Sequence, residues 1–178
     1  MDNIIVIYKS KYGSTKRYAQ YLSKKLNCNL LEESKVNKDT LDKYNTIIYG
    51  GGIYAGRING LRTIINNYEN IKYKNVIVYT IGITNPNDKK TYDDLIKRNF
   101  TEDMITKIQV FNLLGDINYS KLNFFNKIMM YALIGFIKKK DESERTDDDK
   151  KILESYGKSL ILFNEKSIKP IINHIKTL

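Results

Sequence analysis

Four short apolar runs rich in β-branched residues recur along this chain: Ile4–Tyr8, Thr46–Tyr49, Val76–Ile81 and Ile108–Leu114. A strand with one wet face alternates apolar and polar residues; near-continuous runs like these mark strands covered on both faces. Each is followed by a turn signal and then by helical periodicity. Tyr18, Ala19, Leu22 and Leu26 share one helix face, with Ser14 or Thr15 as the expected N-cap. Leu61, Ile64, Ile65 and Tyr68 share another after Asn59-Gly60, and Tyr92, Leu95 and Ile96 a third that begins near Asp88. Ile152, Tyr156, Leu160 and Phe163 predict a late helix, and Ile168–Leu178 a last one with Pro170 in its first turn. A weaker run, Cys28–Leu31, supplies a fifth strand. Strands alternating with helices predict an α/β fold, a doubly wound five-stranded parallel sheet of order 2-1-3-4-5. Ligands of such sheets bind outside the carboxyl ends of the strands where the order reverses, here the loops after strands one, three and four.

The totals narrow the chemistry. At 178 residues the chain suits one domain with its own core, and 42% hydrophobic with 28% charged residues excludes a disordered chain. One cysteine, Cys28, excludes an internal disulfide and a cysteine-rich metal site, and one histidine, His174, argues against a histidine triad or multi-histidine centre. The opening Met1-Asp2-Asn3 and the short apolar run behind it do not make a secretion signal. No run of about 18 apolar residues predicts a membrane span, so a cytoplasmic protein is expected. The formal charge of +10 suits either an acidic protein or membrane partner or plain solvation by scattered lysines. No aromatic-basic module accompanies it, and nucleic acid is not an expected partner.

Three loops carry the candidate site. The first is Ser10-Lys11-Tyr12-Gly13-Ser14-Thr15, a hydroxyl-rich turn between the first strand and the first helix. The first helical turn leaves backbone N–H groups without partners and carries partial positive charge, so a phosphate landing there collects those donors and the nearby hydroxyls. The second loop is expected over Gly50-Gly51-Gly52-Ile53-Tyr54-Ala55-Gly56-Arg57-Ile58-Asn59. Its glycines permit close backbone approach to a planar ligand, and Tyr54 offers a stacking face. The third, Gly82-Ile83-Thr84-Asn85-Pro86-Asn87-Asp88, supplies backbone amides and small polar groups, with Asn87 or Asp88 as the N-cap of the next helix. A segment of about 25 residues after Leu114 interrupts the last strand-to-helix connection; between Leu122 and Ile137 it is largely apolar, interrupted by Asn126 and Lys127, and it ends in Lys138-Lys139-Lys140.

In order and spacing these loops resemble those of flavodoxin and its relatives, which bind FMN non-covalently. Ser10, Gly13, Ser14 and Thr15 match the family's Ser/Thr-x-Thr-Gly-x-Thr phosphate pattern, and Tyr12 stands where that pattern has a hydroxyl residue. The resemblance covers essentially all of residues 1–178 as a single flavodoxin-like domain with an insertion at about 115–140 before the last helices. It implies FMN as cofactor, Ser10, Tyr12, Gly13, Ser14 and Thr15 around the phosphate, Gly52, Ile53, Tyr54, Ala55 and Gly56 along one side of the ring, and Gly82, Ile83, Thr84 and Asn85 along its other flank. It also implies that a peptide near Ala55-Gly56-Arg57 meets the flavin N5 and that Arg57 favours the anionic reduced form. Gly115-Asp116-Ile117-Asn118-Tyr119 followed by Lys127-Ile128-Met129-Met130 is similar to the long loop of the flavodoxin-like, quinone-dependent protoporphyrinogen oxidases.

Other proteins of this topology fit less well. A phosphorelay receiver needs acidic residues where Lys9-Ser10 and Gly50-Gly51 stand, a low-molecular-weight tyrosine phosphatase needs a cysteine and arginine in the first loop, and a P-loop needs Gly-Lys-Ser/Thr. Three functions are left: an FMN electron carrier with an acidic partner protein, an FMN dehydrogenase using a quinone at the membrane surface through residues 118–140, and a non-redox docking module. With no evident acid–base catalyst, electron transfer leads.

Overall fold

The computed structural model describes residues 3–118, 124–154 and 159–178. They divide into two compact units: residues 3–115 with 163–178, and residues 116–162 apart from those not described.

The first unit is built on a parallel sheet. Its strands are β1 (Ile4–Lys9), β2 (Asn29–Glu32), β3 (Thr46–Tyr54), β5 (Asn75–Gly82) and β6 (Gln109–Leu114), in the order β2-β1-β3-β5-β6. This is the expected order 2-1-3-4-5, with one addition: a two-residue strand β4 (Arg57–Ile58) folds back antiparallel on β3. Alternate residues of each strand point to opposite faces. Ile5, Ile7, Ile47, Tyr49, Val76 and Val78 therefore face one layer, with Leu41, Ile64, Tyr68, Ile71, Tyr92, Leu95 and Met104 from helices packed on them. Val6, Tyr8, Ile48, Ile77, Tyr79 and Ile81 face the other, against Tyr18, Ala19 and Leu22 of α1 (Ser14–Leu26) and Ile168, Ile171 and Ile175 near or within α9 (Lys169–Ile175). Covering on both faces is why these strands carry apolar runs rather than alternation.

Several helices differ from their expected form. Gly13, with φ +102°, is the N-cap of α1; neither Ser14 nor Thr15 caps it, because the helix begins one residue earlier than the hydroxyl pattern suggests. Leu61 to Tyr68 is not one helix but α3 (Arg62–Asn66) and α4 (Tyr68–Ile71), and Ile65 faces water. Asp88 does cap α5 (Lys89–Asn99), accepting from the Thr91 N–H at 3.1 Å. The short helices α2 (Lys38–Asp42) and α6 (Glu102–Lys107) carry no sequence signal, since a helix of one or two turns shows too little periodicity.

One side chain secures the places where the chain leaves and rejoins this unit. Tyr18 is fully buried; its hydroxyl donates to the Leu114 carbonyl at 3.0 Å and accepts from the Asn164 N–H at 3.1 Å, and its ring packs 4.6 Å from that of Phe163. Tyr18→Phe keeps the ring and orphans both backbone groups. It is expected to lower unfolding free energy by about 2 kcal/mol in urea titration. An unchanged midpoint would show that water satisfies both groups.

The second unit contains α7 (Phe124–Lys139), α8 (Asp147–Glu154) and a two-stranded antiparallel ladder of β7 (Ile117–Asn118) and β8 (Ser159–Leu160). The late helix expected through Phe163 is therefore shorter: Leu160 lies in a strand and Tyr156 falls outside the described residues, as does Tyr119 of the insertion motif. Along α7, Met130, Ile134 and Ile137 are buried while Ile128, Tyr131 and Phe136 are exposed. Among the described residues no helix is long and apolar enough to cross a membrane.

Candidate FMN site at the carboxyl ends of the strands

The hydroxyl-rich turn of residues 10–15 leaves β1 and enters α1. Ser10 Oγ accepts the Gly13 N–H at 3.1 Å, which curls the turn, and Gly13 takes the left-handed φ that glycine accommodates at no steric cost. No side chain caps the helix, and no acidic residue stands in its first turn. Its positive end is therefore not neutralised from within the turn, while Lys11, Lys16 and Arg17 add exposed cations. Ser14 and Thr15 are buried at the start of the helix. Lys9, just before the turn, is engaged elsewhere, paired with Glu33 at 3.0 Å. Burial works to raise the Glu33 carboxyl, but the Thr63 hydroxyl and the Lys9 ammonium outweigh it and hold it below its usual value.

The second segment departs from the expected loop. β3 continues through Gly50, Gly51 and Gly52 to Tyr54, pairing with β1 at Tyr8↔Gly50 and Lys9↔Gly51 and with β5 as far as Gly52↔Ile81. Ala55 (φ 49°) and Gly56 (φ 73°) then form a two-residue turn, and Ile53↔Ile58 and Tyr54↔Arg57 close a hairpin. Positive φ at both central residues is the type I′ arrangement whose twist suits a tight hairpin. The glycine run serves packing: a Cβ on Gly50 would lie 2.0 Å from the Tyr79 ring, and one on Gly51 would lie 2.7 Å from the Asn59 carbonyl oxygen. Gly52 is buried beneath the Tyr54 ring, whose nearest atom would be 2.9 Å from a Cβ there.

The three segments meet. The Tyr12 ring stands edge-on to Tyr54 with centroids 6.2 Å apart, and Lys11 Nζ lies 5.3 and 5.5 Å from the two ring centres. Ile53 reaches the third segment, its Cδ1 lying 3.1 Å from the position of a Gly82 Cβ. Gly82 ends β5; Ile83, Thr84 and Asn85 follow, half-buried. This loop is braced by its own bonds: Tyr92 donates to the Thr84 carbonyl at 3.2 Å, and Asn85 Oδ1 accepts the Asn87 N–H at 3.0 Å. Ala55 is exposed at the hairpin tip and Gly56 half-buried beside it. Burial, with the Tyr12 phenol adding to it, pushes the Tyr54 phenol up to about 12, so it stays neutral at physiological pH.

Residues outside the sequence-derived set hold these pieces in place. The Gly115 N–H donates to the Gly82 carbonyl at 2.8 Å, and a Gly115 Cβ would lie 3.6 Å from Ser14 Cβ, so the end of β6 also adjoins the turn. The Tyr79 hydroxyl donates to the Thr15 carbonyl at 3.3 Å, joining the sheet core to the helix start. Behind the hairpin, Asn99 accepts the Ile58 N–H at 3.1 Å and donates to the Gly56 carbonyl at 2.9 Å. The Arg57 guanidinium donates to the Arg98 carbonyl. No local pattern marks Asn99, because its hairpin partners lie 41 and 43 residues away in the chain.

A comparison with protein families decides the kinship: the flavodoxin domain matches residues 5–146. The chain belongs to the flavodoxin domain family. No curated protein matches it. Among solved structures this flavodoxin domain is similar to the flavodoxin, WrbA-like protein from Agrobacterium tumefaciens, at 19% identity, covering 62% of this chain and 82% of that one, TM-score 0.43. It is similar to oxidised Flavodoxin 2 from Bacillus cereus, at 15% identity, covering 85% and 93%, TM-score 0.42. It is also similar to a flavoprotein in complex with FMN from Lactobacillus acidophilus NCFM, at 14% identity, covering 64% and 93%, TM-score 0.39.

The donor set of this flavodoxin domain fits a flavin mononucleotide. One end offers a helix start without side-chain cap or acid, with hydroxyls and cations around it; the other offers two aromatic rings and braced backbone turns. Among the described residues no three His, Cys, Asp or Glu side chains gather to hold a metal ion.

Proposed function

We propose that this chain is an FMN-binding redox protein that passes electrons to or from a partner protein. The observation that carries the reading is the convergence of an uncapped, acid-free helix start with the Tyr54–Arg57 hairpin and the Gly82–Asn85 loop at one end of the sheet. Ser10, Gly13, Ser14 and Thr15 would hold the phosphate, Tyr12, Gly52, Ile53, Tyr54, Ala55 and Gly56 one side of the ring, and Gly82, Ile83, Thr84 and Asn85 the other. Bound FMN supplies reversible electron transfer at its isoalloxazine ring. The protein's part is to bind, orient and bias that ring.

The rim supports an acidic partner. Lys11 lies over Tyr54, Arg57 stands opposite it in the hairpin, and Arg98 Nη1 lies 3.2 Å from the position of a Gly56 Cβ. Cations around this hairpin would favour added negative charge on a bound flavin and attract an acidic protein face, raising encounter rates by about 10–10³-fold at low salt. The quinone-dependent dehydrogenase reading draws on a different observation, the exposed apolar side chains Ile128, Tyr131 and Phe136 on α7.

Equilibrating the purified protein with FMN and with riboflavin tests the proposal. FMN is expected to bind with a flavin absorbance spectrum and at least about 100-fold tighter than riboflavin, since the phosphate makes charge-assisted bonds that riboflavin lacks. Absence of measurable FMN binding would overturn it. Reduction of the bound flavin by an acidic redox protein, suppressed by salt, supports the carrier; oxidation of protoporphyrinogen with a quinone acceptor would transfer the assignment to the dehydrogenase.

A further inference from the structure

The Tyr54–Arg57 hairpin is too small to hold its own shape. It closes on two residue pairs, and among the described residues β4 pairs with β3 alone, so the outer edge of the returning strand has no neighbouring strand there. Two-stranded ribbons are marginal even when longer, and unpaired edge groups that are buried must find partners. Here the missing neighbour is a side chain. Asn99, the last residue of α5 and 8% exposed, presents its amide to that edge as a single peptide unit of a strand would. Its Oδ1 accepts the Ile58 N–H at 3.1 Å, and its Nδ2 donates to the Gly56 carbonyl at 2.9 Å and to the Leu95 carbonyl at 2.8 Å. The amide accepts once and donates twice, so a single orientation makes all three bonds. The third bond fastens the amide to α5, and through it the hairpin tip to a helix packed in the core by Tyr92 and Leu95.

We infer that Asn99 is a positioning residue that sets the conformation of the Ala55–Gly56 tip and thereby the affinity for the flavin ring. The inference rests on the FMN reading and names the residue that holds its ring side. Asn99 touches the Gly56 carbonyl, so it determines which way the Gly56–Arg57 peptide faces. Without the amide, Gly56 and Ile58 lose the bonds that keep the tip in its strained-looking but satisfied turn, with positive φ at both Ala55 and Gly56.

Two variants test this, each compared with the unaltered full chain. Asn99→Ala removes the amide. Asn99→Asp keeps the shape and an acceptor for Ile58 but sets an oxygen against the Gly56 and Leu95 carbonyls, so a merely space-filling role would be rescued by it. In flavin-free protein, amide exchange at Ile58 is expected to accelerate about 10-fold or more in both variants while β1 and β5 amides stay protected. In titrations, FMN and riboflavin are both expected to bind about 10-fold more weakly or worse, with the ratio between them kept because the phosphate end is intact. The inference is overturned if Asn99→Asp binds flavin like the unaltered chain, if both variants stay within about 2-fold of it, or if the FMN-to-riboflavin ratio collapses. Failure of the FMN reading shows separately, as an unaltered chain that binds neither flavin, and takes this inference with it.

Discussion

Ser10→Asp is expected to weaken FMN binding by about 10²–10³-fold while riboflavin binding and thermal stability stay close to those of the unaltered protein. Ser10 Oγ accepts the Gly13 N–H at 3.1 Å, and a carboxylate oxygen can accept the same bond, so the turn keeps its shape. A negative charge near the start of α1 also interacts favourably with the helix dipole, worth about 0.3–1 kcal/mol. The folded protein is therefore not expected to suffer. A phosphate brought to the same turn meets the new charge at close range, where two unit charges about 4 Å apart near a protein surface repel by about 4 kcal/mol before salt screening. Riboflavin carries no phosphate and escapes that penalty. Titration of both flavins at low and high salt measures the effect, and the FMN penalty should shrink as salt rises. Equal losses for the two flavins, or none, would mean that the phosphate lies away from residues 10–15.

Gly50→Ala should be the most damaging small change in the first unit, lowering unfolding free energy by about 3 kcal/mol. Gly50 is buried in β3 between β1 and β5, and its missing side chain is where the Tyr79 ring lies. A Cβ there would sit 2.0 Å from Cζ and 2.1 Å from Oη of Tyr79. Tyr79 is itself fully buried, so neither the strand nor the ring can yield without disturbing a core packed at crystal-like density. The displaced ring would also pull on the Thr15 carbonyl that its hydroxyl binds, so FMN affinity should fall along with stability. For a chain of this length the midpoint of thermal unfolding should drop by about 6–12 °C. A double-mutant cycle with Tyr79→Leu, which removes the ring atoms nearest Gly50, should show the two changes offsetting one another by about 1 kcal/mol or more. Additive losses would refute the account.

These two residues illustrate different degrees of legibility. Ser10 was evident from its neighbours alone: a hydroxyl-rich turn with one glycine between an apolar run and an amphipathic one has few structural interpretations. The glycines at 50–52 are equally visible, but by themselves they suggest a ligand-facing loop. They lie within a strand, and each makes room for a particular partner: Tyr79, the returning Ile58–Asn59, and Tyr54. Glycine signals that something comes close; its own position in the chain does not say what. The helix cap at Gly13 went the same way, since Ser14 and Thr15 carry cap chemistry but sit inside the first turn.

The sheet order, the hydroxyl-rich turn after β1 and the Asp88 cap follow from periodicity and turn chemistry, properties of residues within a few positions of one another, and these are legible along the chain. The hairpin held by Asn99, the link from Tyr79 to Thr15 and the anchoring of Leu114 and Asn164 by Tyr18 join residues 41 to 146 positions apart. Such bonds exist only because the sheet and its two helical layers bring distant backbone groups together out of water, where each must find a partner. Local sequence marks the hydroxyl-rich turn at the start of the first helix, and tertiary packing decides how the hairpin and loop beside it are shaped and held.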